Sequence, residues 1–115
     1  MHQSTITVQV ELDEQKIPQK MNWSASDSTA TEAQEARAMM LTFWDPSDKT
    51  ALRIDLWTKD MMVDEMADFF YQNLVGMGDT YLRATQDKAI AESFKEFAKE
   101  FYKKFKASQL TQGPK

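Results

Sequence analysis

Polar and apolar residues alternate cleanly in "TITVQVEL" near the start of the chain. Ile6, Val8, Val10 and Leu12 fall on one side; Thr5, Thr7, Gln9 and Glu11 fall on the other. A period of two predicts a half-buried strand. "DEQKIPQ" ends it, and Pro18 argues against a central strand at that point. "KMNWS" reads as a further short strand with Met21 and Trp23 on one face. "SASDSTATE" reads as a loop. Thr29 and Glu32 have the spacing of a capping box, which predicts about two turns of helix over Ala30–Arg37.

Two apolar runs, "AMMLTFW" and "ALRIDLWT", flank the polar loop "DPSDKT" and predict a β-hairpin. A register pairing Phe43 with Leu52, Leu41 with Ile54 and Met39 with Leu56 makes one face wholly apolar. A slip of one residue would scramble that face. The other face then carries Met40, Thr42, Trp44, Arg53, Asp55 and Trp57.

The period then changes from two to 3.6. A helix is predicted over Met61–Ala84 with Asp60 as N-cap. Met62, Met66, Phe69, Phe70, Leu74, Met77 and Tyr81 form its broad apolar face. Gly76 and Gly78 each weaken it by about 1 kcal/mol relative to alanine, so a bend or break is expected there. Asn73 lies inside the apolar arc and needs a hydrogen-bond partner if buried. A second helix, capped by Thr85, carries the stripe Ile90, Phe94, Phe97, Phe101 and Phe105, which reads as core. Glu and Lys ridges flank it, and Ser108–Lys115 is expected to be disordered. Strands followed by helices predict an α+β fold. The expected form is an antiparallel sheet of three to four strands with two C-terminal helices packed on one face, as a single domain over residues 1–107.

Composition narrows the function. The 115 residues are 42% hydrophobic and 28% charged, which is globular rather than disordered. The net charge of −4 argues against nucleic acid as a partner. No cysteine is present, so thiolate chemistry and cysteine metal sites are excluded. The N-terminus lacks a basic region followed by an apolar run, and no stretch is long and apolar enough to insert in a membrane. A soluble, cytoplasmic protein is expected.

His2 is the sole histidine and lies at the terminus. No glycine-rich phosphate loop exists. The densest acidic stretch is "RIDLWTKDMMVDEM", holding Asp55, Asp60, Asp64 and Glu65. Asp64, Glu65, Asp68 and Asp79 lie opposite the apolar helix face, and Asp55 sits two residues from Arg53 on one strand face. Each acid thus has a structural role, and an all-carboxylate Mg²⁺ site is the remaining catalytic option. No enzyme activity, metal or cofactor is expected. Trp44 and Trp57 are harder to assign to a core. With Met40 and Arg53 they are the candidate partner-binding residues, because Trp, Met and Arg anchor protein interfaces. A homodimer through that patch is a further option.

"LRIDLWTKDMMVDEM" followed by "TYLRATQD" resembles the GldC family of gliding motility-associated proteins from Bacteroidetes. The resemblance extends through "TITVQVELDE", "MNWSA" and "EARAMMLTFWD" into the last helix. It implies an accessory, non-enzymatic protein that supports gliding and the surface-protein secretion linked to it, with a gliding or secretion component as partner. It supplies no site residues. The alternative expectation is a small-ligand or lipid binder, with a Met/Phe-lined cavity between sheet and helices.

Overall fold

The computed structural model describes residues 2–112. The chain divides into two compact units at Met61/Met62, the first all β and the second all α. The α+β class is as expected. The β part holds five strands in two antiparallel sheets, rather than three to four strands in one.

In the first unit, β1 (Ile6–Leu12) pairs with β2 (Pro18–Ala25), and β2 pairs with the short β3 (Gln34–Ala36). β2 is therefore a central strand, and Pro18 is its first residue. The proline is tolerated because the ladder is irregular there: register shifts between Glu11 and Leu12, and Leu12 stands opposite Pro18. The β1–β2 turn is organised by Asp13, whose carboxylate accepts the backbone N–H groups of Gln15 (2.8 Å) and Ile17 (3.0 Å). Its other oxygen accepts Lys59 Nζ at 3.1 Å, and Lys16 takes the left-handed conformation (φ 65°) that closes the turn.

No helix forms over Ala30–Arg37. The Ser28 hydroxyl donates to the Ala25 carbonyl and accepts the Ala30 N–H, while the Ala25 N–H donates to the Ala30 carbonyl. This turn sends the chain back along β2, and strand pairing of Gln34–Ala36 outweighs two turns of weakly capped helix.

After a bend at Arg37 the chain continues as β4 (Ala38–Asp45), which pairs with β5 (Thr50–Trp57). The register has Phe43 opposite Leu52, Leu41 opposite Ile54 and Met39 opposite Leu56, as the apolar pattern requires. Thr58 N–H donates to the Arg37 carbonyl (2.7 Å) and Lys59 N–H to the Pro18 carbonyl (3.0 Å). The segment after β5 thus closes against both sheets. Met21, 1% exposed, and Thr58 are the most deeply buried large side chains of this unit.

The second unit is a helical hairpin of α1 (Val63–Thr85) and α2 (Lys88–Gln112). Asp60 is not the N-cap of α1. Its carboxylate accepts the Thr58 hydroxyl at 2.6 Å, and Met62 takes the cap position with its N–H bonded to Glu65. The connection is tight: Gln86 adopts the left-handed conformation, and Asp87 rather than Thr85 caps α2 by accepting the Ile90 N–H. The Thr85 hydroxyl donates to the Tyr81 carbonyl and accepts the Asp87 N–H, so it serves the turn. α2 continues to Gln112, five residues into the segment expected to be disordered. Residues 113–115 of that segment lie outside the described residues.

α1 does not break at its glycines. A Cβ on Gly78 would stand 2.9 Å from the Ala91 carbonyl and 3.1 Å from Phe94 Cβ, so this glycine sets the distance between the helices. Ala67, Gly78, Ala91 and Ala98 are the buried residues of the seam. Ring pairs stand along it: Tyr71 with Tyr102 (5.3 Å), Tyr81 with Phe94 (5.7 Å) and Phe70 with Phe101 (6.2 Å). The stripe expected to be core is consequently rotated. Its centre is at Ala91 and Ala98, and Phe97, 57% exposed, and Ile90 stand outside it, because small residues allow the closer approach. Asn73 donates to the Phe69 carbonyl at 2.8 Å and so has the partner it needs.

Two predictions follow from these contacts. Gly78→Ala should lower stability by up to about 2 kcal/mol, as overpacking of roughly 1–3 kcal/mol outweighs a helix-propensity gain of about 1 kcal/mol; thermal and urea denaturation measure this. The Asp13 carboxyl is held below its usual value near 3.8 by the Ile17 N–H and the Lys59 ammonium. A lowered carboxyl stabilises the fold above its unfolded value and loses that contribution as pH falls through its folded value. Asp13→Asn should therefore be less stable than the native chain at pH 6, with the difference shrinking below about pH 4.

Candidate functional site

The β4–β5 ladder decides which surface residues share a face. Opposed pairs run Trp44–Ala51, Thr42–Arg53, Met40–Asp55 and Ala38–Trp57 along one side of the hairpin. Met40, Trp44, Arg53 and Trp57 therefore do share a face. Trp44 is 66% exposed and Trp57 56%; Met40 is half-buried.

The two indoles do not touch, however. Three two-residue steps separate their rows, roughly 20 Å along the strands. Between them Arg53 grips Asp55 with two parallel bonds, Nε to Oδ2 at 2.9 Å and Nη2 to Oδ1 at 3.0 Å. The pairing expected from their spacing is present, and the carboxylate raises the guanidinium's pKa. The face is thus two exposed aromatic anchors around a neutralised ion pair. The opposite face is also exposed at Phe43, Leu52 and Ile54, so large apolar groups reach solvent on both sides of a two-stranded sheet.

The acidic stretch disperses into structural roles. Asp55 pairs with Arg53, Asp60 accepts Thr58, Glu65 accepts the Met62 N–H, and Asp64 accepts the Glu65 N–H. The Thr58 hydroxyl holds the Asp60 carboxyl below its ordinary value. Among the described residues no three His, Cys, Asp or Glu side chains gather closely enough to hold a metal ion. Also among them, no helix is long and apolar enough to cross a membrane.

A profile described as gliding motility-associated protein GldC-like matches residues 18–107. The chain belongs to the GldC-like family. The GldC-like match opens at the first residue of β2 and closes within α2, so it contains the tryptophan-bearing hairpin and leaves out β1. No curated protein and no solved structure matches this GldC-like chain.

One feature of the GldC-like chain was missed from sequence. An open groove of about 700 Å³ runs along α1 between Phe69 and Ala84 and reaches Phe94 of α2, with Gly76 and Met77 near its middle. The available signal was the pair of glycines two positions apart, which cannot share a helix face. Elsewhere on the hairpin, Tyr102 packs on Tyr71, lies 5.0 Å under Lys106 Nζ, and has its pKa raised by the Asp68 carboxylate it bonds.

Exposure of the two indoles is checked by fluorescence. Iodide should quench Trp44 and Trp57, and Trp44→Phe and Trp57→Phe should each remove part of the quenchable emission. Either substitution should change stability by less than about 0.5 kcal/mol, as expected of exposed sites.

Proposed function

We propose that this gliding motility-associated chain is a non-enzymatic accessory protein acting from the cytoplasm, and that it docks a protein of the gliding or linked secretion apparatus through the Trp44/Trp57 face. The observation that carries the reading is the exposure of both tryptophans on one face of the hairpin. An exposed indole gains most from burial at an interface, where tryptophan is enriched among the residues that dominate binding. The separation of the two rings fits an extended partner segment lying along the hairpin better than a small ligand. The Arg53–Asp55 pair between them brings no net charge that a partner must match.

The apolar groove on α1 does not favour the small-ligand alternative. It is open along its length, whereas small-molecule sites enclose most of the ligand surface.

The test is allelic replacement in a gliding bacterium that carries this gene. Trp44→Ala with Trp57→Ala should abolish or strongly reduce colony spreading at unchanged protein level. With the partner in hand, each substitution should weaken binding by about 30-fold, the equivalent of a 2 kcal/mol anchor. Normal gliding by the double variant would remove the face from the function.

A further inference from the structure

An antiparallel ladder turns the backbone N–H and C=O of successive residues alternately toward and away from its partner. The parity of β1 is fixed just before its start. There the Ser26 N–H donates to the Thr5 carbonyl at 3.0 Å, while the Ala25 N–H turns away to the Ala30 carbonyl. In the β1–β2 register, Thr5, Thr7, Gln9 and Glu11 therefore direct their backbone groups to β2. Ile6, Val8 and Val10 direct theirs outward, and among the described residues no strand borders β1 on that side. Natural sheets blunt such an edge with lysine, proline, a bulge or a very short strand. From Ile6 to Val10, β1 has no charged residue, no proline and no register shift; its irregularity comes at Glu11/Leu12. With 7 residues it is not short for a strand.

Besides water, only another extended backbone matches a row of donors and acceptors at this spacing. β1 itself is such a match. The regular ladder runs from Thr5 to Glu11, and Val8 is its midpoint. Because Val8 faces outward, a two-fold axis beside it sets Val8 opposite Val8, and Ile6 opposite Val10, in hydrogen-bonded positions. That makes about six backbone bonds and leaves no outward group between Ile6 and Val10 unpaired. The side chains agree with this register. Ile6, Val8 and Val10 stand opposite Ala25, Trp23 and Met21 of β2, so two copies would set Trp23, Val8, Val8 and Trp23 in one row across four strands. Ile6 is 73% exposed and Val8 37%, so the row has apolar surface to bury. On the other face Thr7 would meet Gln9, and Thr5 would meet Glu11. No like charges oppose each other there, and Lys20 of β2 already stands opposite Glu11.

We infer that the chain forms a two-fold homodimer in which β1 pairs antiparallel with β1 of a second copy, with Val8 at the axis. The two three-stranded sheets then join into one continuous sheet in the order β3-β2-β1-β1-β2-β3. Neither Trp44 nor Trp57 belongs to this edge.

The chain has no cysteine, so single cysteines report contacts directly. The full-length protein should sediment at twice its 13.3 kDa mass. Thr7 of one copy and Gln9 of the other would form a non-hydrogen-bonded pair, the closer kind at about 4.5 Å between Cα atoms. Thr7→Cys and Gln9→Cys should therefore crosslink when mixed and oxidised, and far less when each is alone. Val8→Lys sets like charges opposite each other at the axis and should weaken the dimer at least tenfold with the far-ultraviolet circular dichroism retained. Val8→Pro, which removes an outward N–H and no bond to β2, should do the same if the lysine variant fails to fold. In hydrogen exchange on the native chain, the amides of Ile6, Val8 and Val10 should be protected in the dimer and lose protection on dilution, while those of Thr7 and Gln9 stay protected. A native chain that is monomeric at about 100 µM overturns the inference and leaves the edge to a strand of another protein. So does a dimer in which the amides of Ile6, Val8 and Val10 exchange freely, because its interface lies elsewhere.

Discussion

One stretch of backbone, Gln34 to Asp45, serves two sheets, and the β unit depends on how it is divided. Up to Ala36 it pairs with β2; from Ala38 it pairs with β5. Arg37 stands at the changeover, and its carbonyl accepts the Thr58 N–H. Lys59 then bonds the Pro18 carbonyl through its backbone and the Asp13 carboxylate through its side chain. Thr58 thus ties the end of β5 to the junction of β3 and β4, and Lys59 ties it to β2 and to the β1–β2 turn. A two-stranded hairpin is marginal on its own, so these ties give β4–β5 an anchored base while its far end extends into solvent.

The helical unit follows a different rule. Here backbone proximity comes first, and side chains arrange themselves around it. Gly78, Ala91 and Ala98 bring the helices together, and the aromatic rings are displaced to the flanks of the seam. Stacked and tilted rings at 5.3–6.2 Å then hold the hairpin along much of its length. Lys95 with Asp79, at 2.9 Å, pairs the polar flanks of the two helices.

Much of this was legible in the residues, and the misses share a cause. The β4–β5 register followed from apolar alternation because only one pairing keeps Phe43, Leu52, Leu41 and Ile54 together. Trp44, Trp57, Met40 and Arg53 were placed on one face by the same parity. Features that depend on a distant partner were not legible. Gln34–Ala36 has helical character locally and became a strand because β2 offered an edge. Pro18 reads as a strand breaker until the irregular ladder opposite it is known. Periodicity places the stripe on the largest residues of α2, whereas the seam runs through the smallest. Asp60 lost its cap role because the Thr58 hydroxyl beside it competes for the carboxylate.

The bidentate pair between the two indoles has a consequence for how the surface would behave in a cell. Arg53 and Asp55 satisfy each other before anything arrives, so this pair adds almost no field at long range. The pair itself would not steer a partner from a distance. The indole contacts such a face offers would depend little on ionic strength, unlike contacts between opposite charges.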